Sequence, residues 1–211
     1  GGAGTVFDGR GGEYGAALAA VERRSATLQM GDFHDVERES PLQLTLVQGL
    51  SKGDRMDYTL QKAAELGVSA VVPVITERCN VSLDREREAR KFEHWRGVLI
   101  SACEQSGRTR VPTLHPLQRY VDWLDSQTAG PRYLLDPMAA RSLARTPVPD
   151  APLSLVIGPE GGLSAAEIHA GTRAGCIGVR LGPRVLRTET AGVAALSILQ
   201  ALKGDLGDEP G

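Results

Sequence analysis

Two glycine-rich bends carry the residues of this 211-residue chain best suited to chemistry. The first, Gly158-Pro159-Glu160-Gly161-Gly162, sets a carboxylate among glycines that let the main chain approach a ligand and leave its NH and C=O groups free to bond it. The second, Gly182-Pro183-Arg184-Val185-Leu186-Arg187, runs on into Thr188 and Glu189, so guanidinium, hydroxyl and carboxylate groups follow one another closely. An ordinary tight strand-to-helix connection would use the same glycines and prolines. Neither bend is a phosphate cradle: no Lys-Ser or Lys-Thr follows the first, its glycines lack G-x-G-x-x-G spacing, and Glu160 would repel a pyrophosphate. A carboxylate in such a turn suits a neutral or cationic ligand. S-adenosylmethionine, which carries a sulfonium, fits that description.

The elements that must hold these bends are legible from the pattern around them. Leu153 to Ile157 is an apolar run between Pro152 and Gly158 and predicts a buried strand. Ser164 and Glu167 stand at capping-box spacing, which predicts a helix ending near Gly175, and Ile177 to Leu181 predicts the next strand. After the second bend, Ala191, Ala194, Ala195, Ile198 and Leu202 keep a helical period. Strand, helix, strand, helix with short loops predicts an α/β fold with a parallel sheet, whose ligands bind beyond the carboxyl ends of the strands. Upstream, Leu42 to Gln48 and Ala70 to Ile75 read as strands, joined by a helix capped by Ser51 and Asp54 and stopped at Gly67. Asp84 to Gln105 reads as a long helix with Phe92, Trp95, Leu99 and Cys103 on one face, ending at Gly107. Leu117 to Ser126 suggests an amphipathic helix and Arg132 to Leu135 a short strand, so Leu135, Ile157 and Leu181 each end a strand at one crevice. Residues 1–40 form a separate segment of short strands around the Asp8-Gly9 turn, with Asp32 to Ser40 as the linker closed by Pro41.

Composition bounds the function classes. No apolar run approaches the eighteen or so residues that would span a bilayer. No signal peptide opens the sequence, and Cys79, Cys103 and Cys176 are scattered without CxxC spacing, which predicts reduced thiols and a cytoplasmic protein. His94, His115 and His169 lack ligand spacing, so no metal is expected. A net charge of -2 argues against a blanket grip on nucleic acid, yet 20 of the 24 basic residues are arginine, suited to bidentate phosphate contacts. An RNA role would have to rest on local arginine clusters.

Several separated motifs, in order, resemble one family. IGPEGG at Ile157 to Gly162, LGPRVLRTETA at Leu181 to Ala191, LSKGDRMDYTLQKAAELGV from Leu50 and ACEQSGR from Ala102 are similar to the RsmE family of the SPOUT superfamily, which methylates N3 of a uridine in 16S ribosomal RNA. The match runs from about Gly9 to Gly204. The resemblance implies a SPOUT methyltransferase domain over residues 41–211, with a parallel sheet and a C-terminal trefoil knot from Leu153 onward. It implies that residues 1–40 are the tail of a PUA-like RNA-binding barrel whose first strands lie outside this sequence. It also implies S-adenosylmethionine as cofactor, the small ribosomal subunit as partner, and a homodimer pairing through the helix from Thr190 to Leu202.

Site residues follow from the same resemblance. The cofactor is expected against Leu135, Ile157, Gly158, Glu160, Gly161, Gly162, Leu181, Gly182, Leu186, Arg187 and Thr188, largely through main-chain atoms. Lys52, Lys62, Gln105, Arg108 and Arg184 are the candidate RNA contacts, the EQSGR segment being expected near the target nucleotide. Uracil N3 carries a proton that must leave before it can attack, so a base is needed. Glu160 or Glu189 is the candidate base or binding residue, and Arg187 the clamp for charge developing on a uracil oxygen. Alternatives are a SPOUT ribose 2'-O-methyltransferase acting on tRNA or rRNA, a non-catalytic RNA-binding protein, and a nucleotide-dependent oxidoreductase. Pro159 and Thr188-Glu189-Thr190 depart from the asparagine and serine pattern of the ribose enzymes.

Overall fold

The computed structural model describes residues 2–79, 85–126 and 130–207. Near the N-terminus, β1 (Ala3–Val6), β2 (Glu13–Val21) and β3 (Ala26–His34) form an antiparallel sheet in the order β1-β2-β3. The rest alternates strand and helix: β4 (Leu44–Gly49), α1 (Asp54–Glu65), β5 (Ala70–Ile75), α2 (Arg85–Ser106), β6 (Thr113–Leu114), β7 (Gln118–Arg119), α3 (Tyr120–Asp125), β8 (Arg132–Leu135), β9 (Arg141–Ser142), β10 (Leu153–Ile157), α4 (Ala165–Arg173), β11 (Ile177–Arg180) and α5 (Thr188–Lys203). These strands make one sheet in the order β6-β5-β4-β10-β8-β11-β9, with β7 beside β5, and all its pairings are parallel.

Alternation along the central strands divides the core in two. In β4, Leu44 and Leu46 join one cluster while Val47 joins the other; in β10, Leu153, Leu155 and Ile157 face the first and Val156 the second. Met56 and Leu60 of α1, Trp95 and Leu99 of α2 and Leu196 and Leu199 of α5 pack into the first cluster. Tyr120, Trp123 and Leu124 of α3 pack into the second, beside Leu163 just ahead of α4. Helices therefore cover both faces of the sheet, as a parallel sheet requires.

Local signals explain most boundaries and a few departures. Ser164 accepts the Glu167 amide, and the Glu167 carboxylate accepts the Ser164 amide, so the predicted capping box starts α4. Gly67 and Gly107 have positive φ where α1 and α2 stop. Ser51, by contrast, does not cap α1: Gly53 is the N-cap and the Ser51 hydroxyl is buried without a partner. Leu117 to Ser126 is not one helix, because Gln118 and Arg119 first pair with Val74 and Ile75 of β5. The start predicted for α2, Asp84, lies outside the described residues.

The expected linker from Asp32 is also more structured than its polarity suggests. Strand β3 continues to His34, and Glu37, Arg38 and Glu39 then form ion pairs with Arg110, Glu13 and Arg108. On α5 the buried face is Gly192, Ala195, Leu196, Leu199 and Gln200. That leaves Ala191, Ala194 and Ile198 half-buried and Leu202 45 % exposed.

Candidate functional site

Because every strand of the large sheet runs the same way, the segments after β4, β8, β10 and β11 gather on one edge. Close approach there depends on glycine. A Cβ on Gly49 would lie 2.6 Å from the Pro159 ring, and one on Gly158 would lie 2.8 Å from the Leu163 nitrogen. Gly162 at φ +68° and Gly182 at φ +149° hold conformations that side chains resist. The two bends are joined through Thr188: its hydroxyl donates to the Gly158 carbonyl at 2.7 Å, and the buried Gln48 amide lies 3.3 Å from the same hydroxyl. The Asp136 amide donates to the Val179 carbonyl at 2.9 Å, so the segment after β8 joins them.

Between these segments is a crevice walled by Leu135, Leu181, Leu186 and Ala191, with Asp136 and Arg184 at its mouth. Its volume is about 50 Å³. Among the described residues no main-chain hydrogen bond closes Gly182 to Leu186, and Val185 at the tip is 82 % exposed. Apolar walls beside unpaired amides and carbonyls are what a nucleoside with a sulfonium tail needs: a slot for the ring and main-chain partners for its edges.

The charged groups around the crevice are arranged unequally. Glu160 accepts the Lys52 amide at 3.0 Å and Arg55 Nη1 at 3.0 Å, and Arg78 Nη1 donates to the Gly161 carbonyl at 2.9 Å. Burial alone would raise the Glu160 pKa, but hydrogen bonds from the main chain of Lys52 and Glu160 and from Arg55, with the Arg55 charge, hold it below the ordinary carboxylate value. Through Oε1 it fastens the first bend to the β4–α1 loop. Glu189, half-buried in the first turn of α5, and Arg187, exposed at the N-cap, make no side-chain bond among the described residues.

The expected site residues divide by edge. Leu135, Leu181, Gly182, Arg184 and Leu186 line the crevice; Ile157 and Gly158 are buried beneath it; Glu160, Gly161, Gly162, Arg187, Thr188 and Glu189 belong to the two joined bends. Lys52 is beside them through its amide. Lys62, Gln105 and Arg108 are not. Helices α1 and α2 run back against the strand direction, and at about 1.5 Å per residue the 22 residues of α2 carry Gln105 roughly 33 Å, to the opposite edge of the sheet. There Arg108 is 5 % exposed and donates to the Ala64 and Val68 carbonyls and to both Glu39 oxygens. This corrects the expectation for the EQSGR segment: within this chain Arg108 is a buried staple, and Lys62 pairs with Glu65 at 2.8 Å.

Sequence reasoning missed Gln48, Arg55 and Arg78. None of the three is among the candidate site residues, and it is the docking of the first bend that gives Arg55 and Arg78 a role. Burial pushes the Cys103 thiol up to about 11 and also raises that of Cys176, so both stay protonated and neither is a nucleophile. Among the described residues no helix is long and apolar enough to cross a membrane, and no group of three or more His, Cys, Asp or Glu could hold a metal ion.

Comparison with known proteins bears on this edge. A family model described as an RNA methyltransferase domain matches residues 38–200. Ribosomal RNA small subunit methyltransferase E of Buchnera aphidicola subsp. Schizaphis graminum is 36% identical over 172 residues, covering 80% of this chain and 69% of that protein. The protein of the same name from Bacillus subtilis is 31% identical over 201 residues, covering 89% and 78%. Among solved structures, a ribosomal RNA small subunit methyltransferase E from Neisseria gonorrhoeae bound to S-adenosyl methionine has a TM-score of 0.92 at 42% identity, covering 97% of this chain and 85% of that one. A Legionella pneumophila methyltransferase with bound SAM has a TM-score of 0.93 at 40% identity, with the same coverage.

Proposed function

The chain belongs to the ribosomal RNA small subunit methyltransferase E family, and from that premise we propose that it moves a methyl group from S-adenosylmethionine to N3 of a uridine in 16S ribosomal RNA. The observation that carries this reading is the Thr188 bond to Gly158, which joins the two glycine bends beside one apolar crevice. S-adenosylmethionine supplies a methyl group activated by sulfonium. The main chain of Gly158, Gly161, Gly162, Leu181 and Gly182 would meet its polar edges, and Leu135, Leu181 and Leu186 would flank its ring.

What the protein's side chains then do is position and polarise. Holding the two reactants in line supplies on the order of 7 to 11 kcal/mol. Glu189 takes the N3 proton, because its carboxylate has no side-chain partner among the described residues while Glu160 Oε1 already holds the Lys52 amide and Arg55. Arg187 pairs with the uracil oxygen on which charge grows. N3 is hidden in a base pair, so the uridine is unpaired or flipped out when it reaches the crevice. The test is nucleoside mass spectrometry on unmodified small subunits incubated with S-adenosylmethionine: 3-methyluridine is expected, and Arg187→Ala is expected to lower kcat about 10²- to 10³-fold. Absence of 3-methyluridine, or an unchanged Arg187→Ala rate, overturns the assignment.

The same reading extends to architecture. Residues 1–40 act as part of a PUA-like RNA-binding barrel and residues 41–211 as the SPOUT domain, supported by the antiparallel sheet of β1 to β3 and the parallel sheet that follows. A trefoil knot is supported by two features: β10 enters between β4 and β8, and α5, leaving β11, packs back on α1 and β10. A crystal structure tracing residues 181–203 beside, rather than through, the preceding loop overturns the knot. The half-buried Ala194 and the exposed Leu202 of α5 support pairing as a homodimer.

A further inference from the structure

Next to the cofactor crevice, and continuous with it through Pro137, Arg180 and Gly182, is a wider groove of about 650 Å³. Arg145 and Arg180 line it, and Arg184 lines the adjoining crevice. All three are exposed. Arg180 is steadied by a 3.0 Å hydrogen bond from Nη1 to the Ala139 carbonyl, which leaves its charge uncompensated. Arg145 and Arg184 have no side-chain partner among the described residues. Among the described residues no carboxylate lines the groove; the acid of the adjoining crevice, Asp136, accepts the Met138 amide at 2.9 Å.

In a chain of net charge -2, three uncompensated guanidiniums along one groove and the crevice beside it are a local concentration of positive charge. Arg55, Arg108 and Arg110, by contrast, each meet a carboxylate. Clustered like charges repel unless an anion lies between them, and planar guanidiniums suit phosphate oxygens. No aromatic side chain lines the groove, so it offers no platform for stacking bases. We propose that the groove carries the phosphodiester backbone of the RNA strand that delivers the target nucleotide to the crevice. The inference rests on the methyltransferase reading and adds to it a phosphate track on the β9 and β11 side of the sheet.

The test uses Arg145→Glu, which removes a groove side chain that bonds nothing among the described residues and leaves Arg180 in place. Three quantities are measured: KM for small subunits, affinity for a single-stranded RNA across a salt series, and S-adenosylmethionine affinity by calorimetry. The expected result is a KM and RNA dissociation constant raised about tenfold or more, a salt slope shallower by about 0.7 (one contact on a single strand), and unchanged cofactor affinity and kcat. Unchanged KM and salt slope in the variant overturn the phosphate track. A variant that instead loses self-association while binding RNA normally also overturns it, assigning the groove to an interface between copies. If wild-type protein binds RNA but forms no 3-methyluridine, the methyltransferase reading fails, while the RNA arm still tests the groove.

Discussion

Glu160 is a charged residue whose role the fold decides. Burial works to raise its pKa, but the hydrogen bonds of the Lys52 and Glu160 main chain and of Arg55, with the Arg55 charge, prevail and lower it from 4.5. A carboxyl with a folded pKa below its unfolded one stabilises the protein above the unfolded value and loses that contribution as pH falls through the folded value. Melting temperatures of wild type and Glu160→Gln are therefore expected to differ most near neutral pH and to converge in acid below about pH 4.5. The pair is partly exposed, so the difference should be about 1 kcal/mol or less. A gap that stays constant through the carboxylate range would show that the charge of Glu160 plays no part. The same bonds explain why Glu189 rather than Glu160 is assigned the proton: a carboxylate already holding two donors is a weaker base.

At the level of elements, the site depends on how closely the end of β4 approaches the first bend. Gly49 is buried against Pro159, and a Cβ there would stand 2.6 Å from ring and backbone atoms that cannot rotate away. Gly49→Ala is expected to cost about 1 to 3 kcal/mol in urea denaturation and to weaken S-adenosylmethionine binding through displacement of the Pro159 turn. An unchanged midpoint and affinity would mean that the approach has slack. Strands β8 and β10 and the α4 capping box are where pattern reasoning placed them, since an apolar run between breakers and a Ser-x-x-Glu signal are local chemistry. Strands β6, β7 and β9, of two residues each, have no period to detect and exist because β5 and β11 present an edge.

Across the whole molecule, Arg108 and Gln200 join distant segments. Arg108 fastens Glu39 to the turn before β5, and Gln200 of α5 donates to the Leu66 carbonyl at 2.7 Å and accepts the Ser40 hydroxyl at 2.6 Å. The stretch after β3 is thereby held against the parallel sheet at the edge away from the crevice. The outer face of α5 is left for a second copy under the dimer proposal. Leu202→Glu, at a position 45 % exposed, is expected to yield a monomer by light scattering while leaving the melting temperature within a few degrees, as surface substitutions usually do. A variant with wild-type mass would remove α5 from the interface.

The amino-acid sequence by itself determined the class of the fold and the identity of the two bends, because strand alternation, helix caps and glycine-dependent turns are set by residues near one another in the chain. It also determined that Lys62, Gln105 and Arg108 are polar, and could say no more, since a polar residue at a helix end looks the same on either edge of a sheet. Only the tertiary structure decided the edge. Helices running back against parallel strands put the EQSGR segment at the far side, while the Thr188 bond, the Glu160 tie and the groove arginines Arg145 and Arg180 came together at the near side from positions far apart in the chain. Charge and exposure become function through that convergence, which depends on the crossing of strands rather than on spacing.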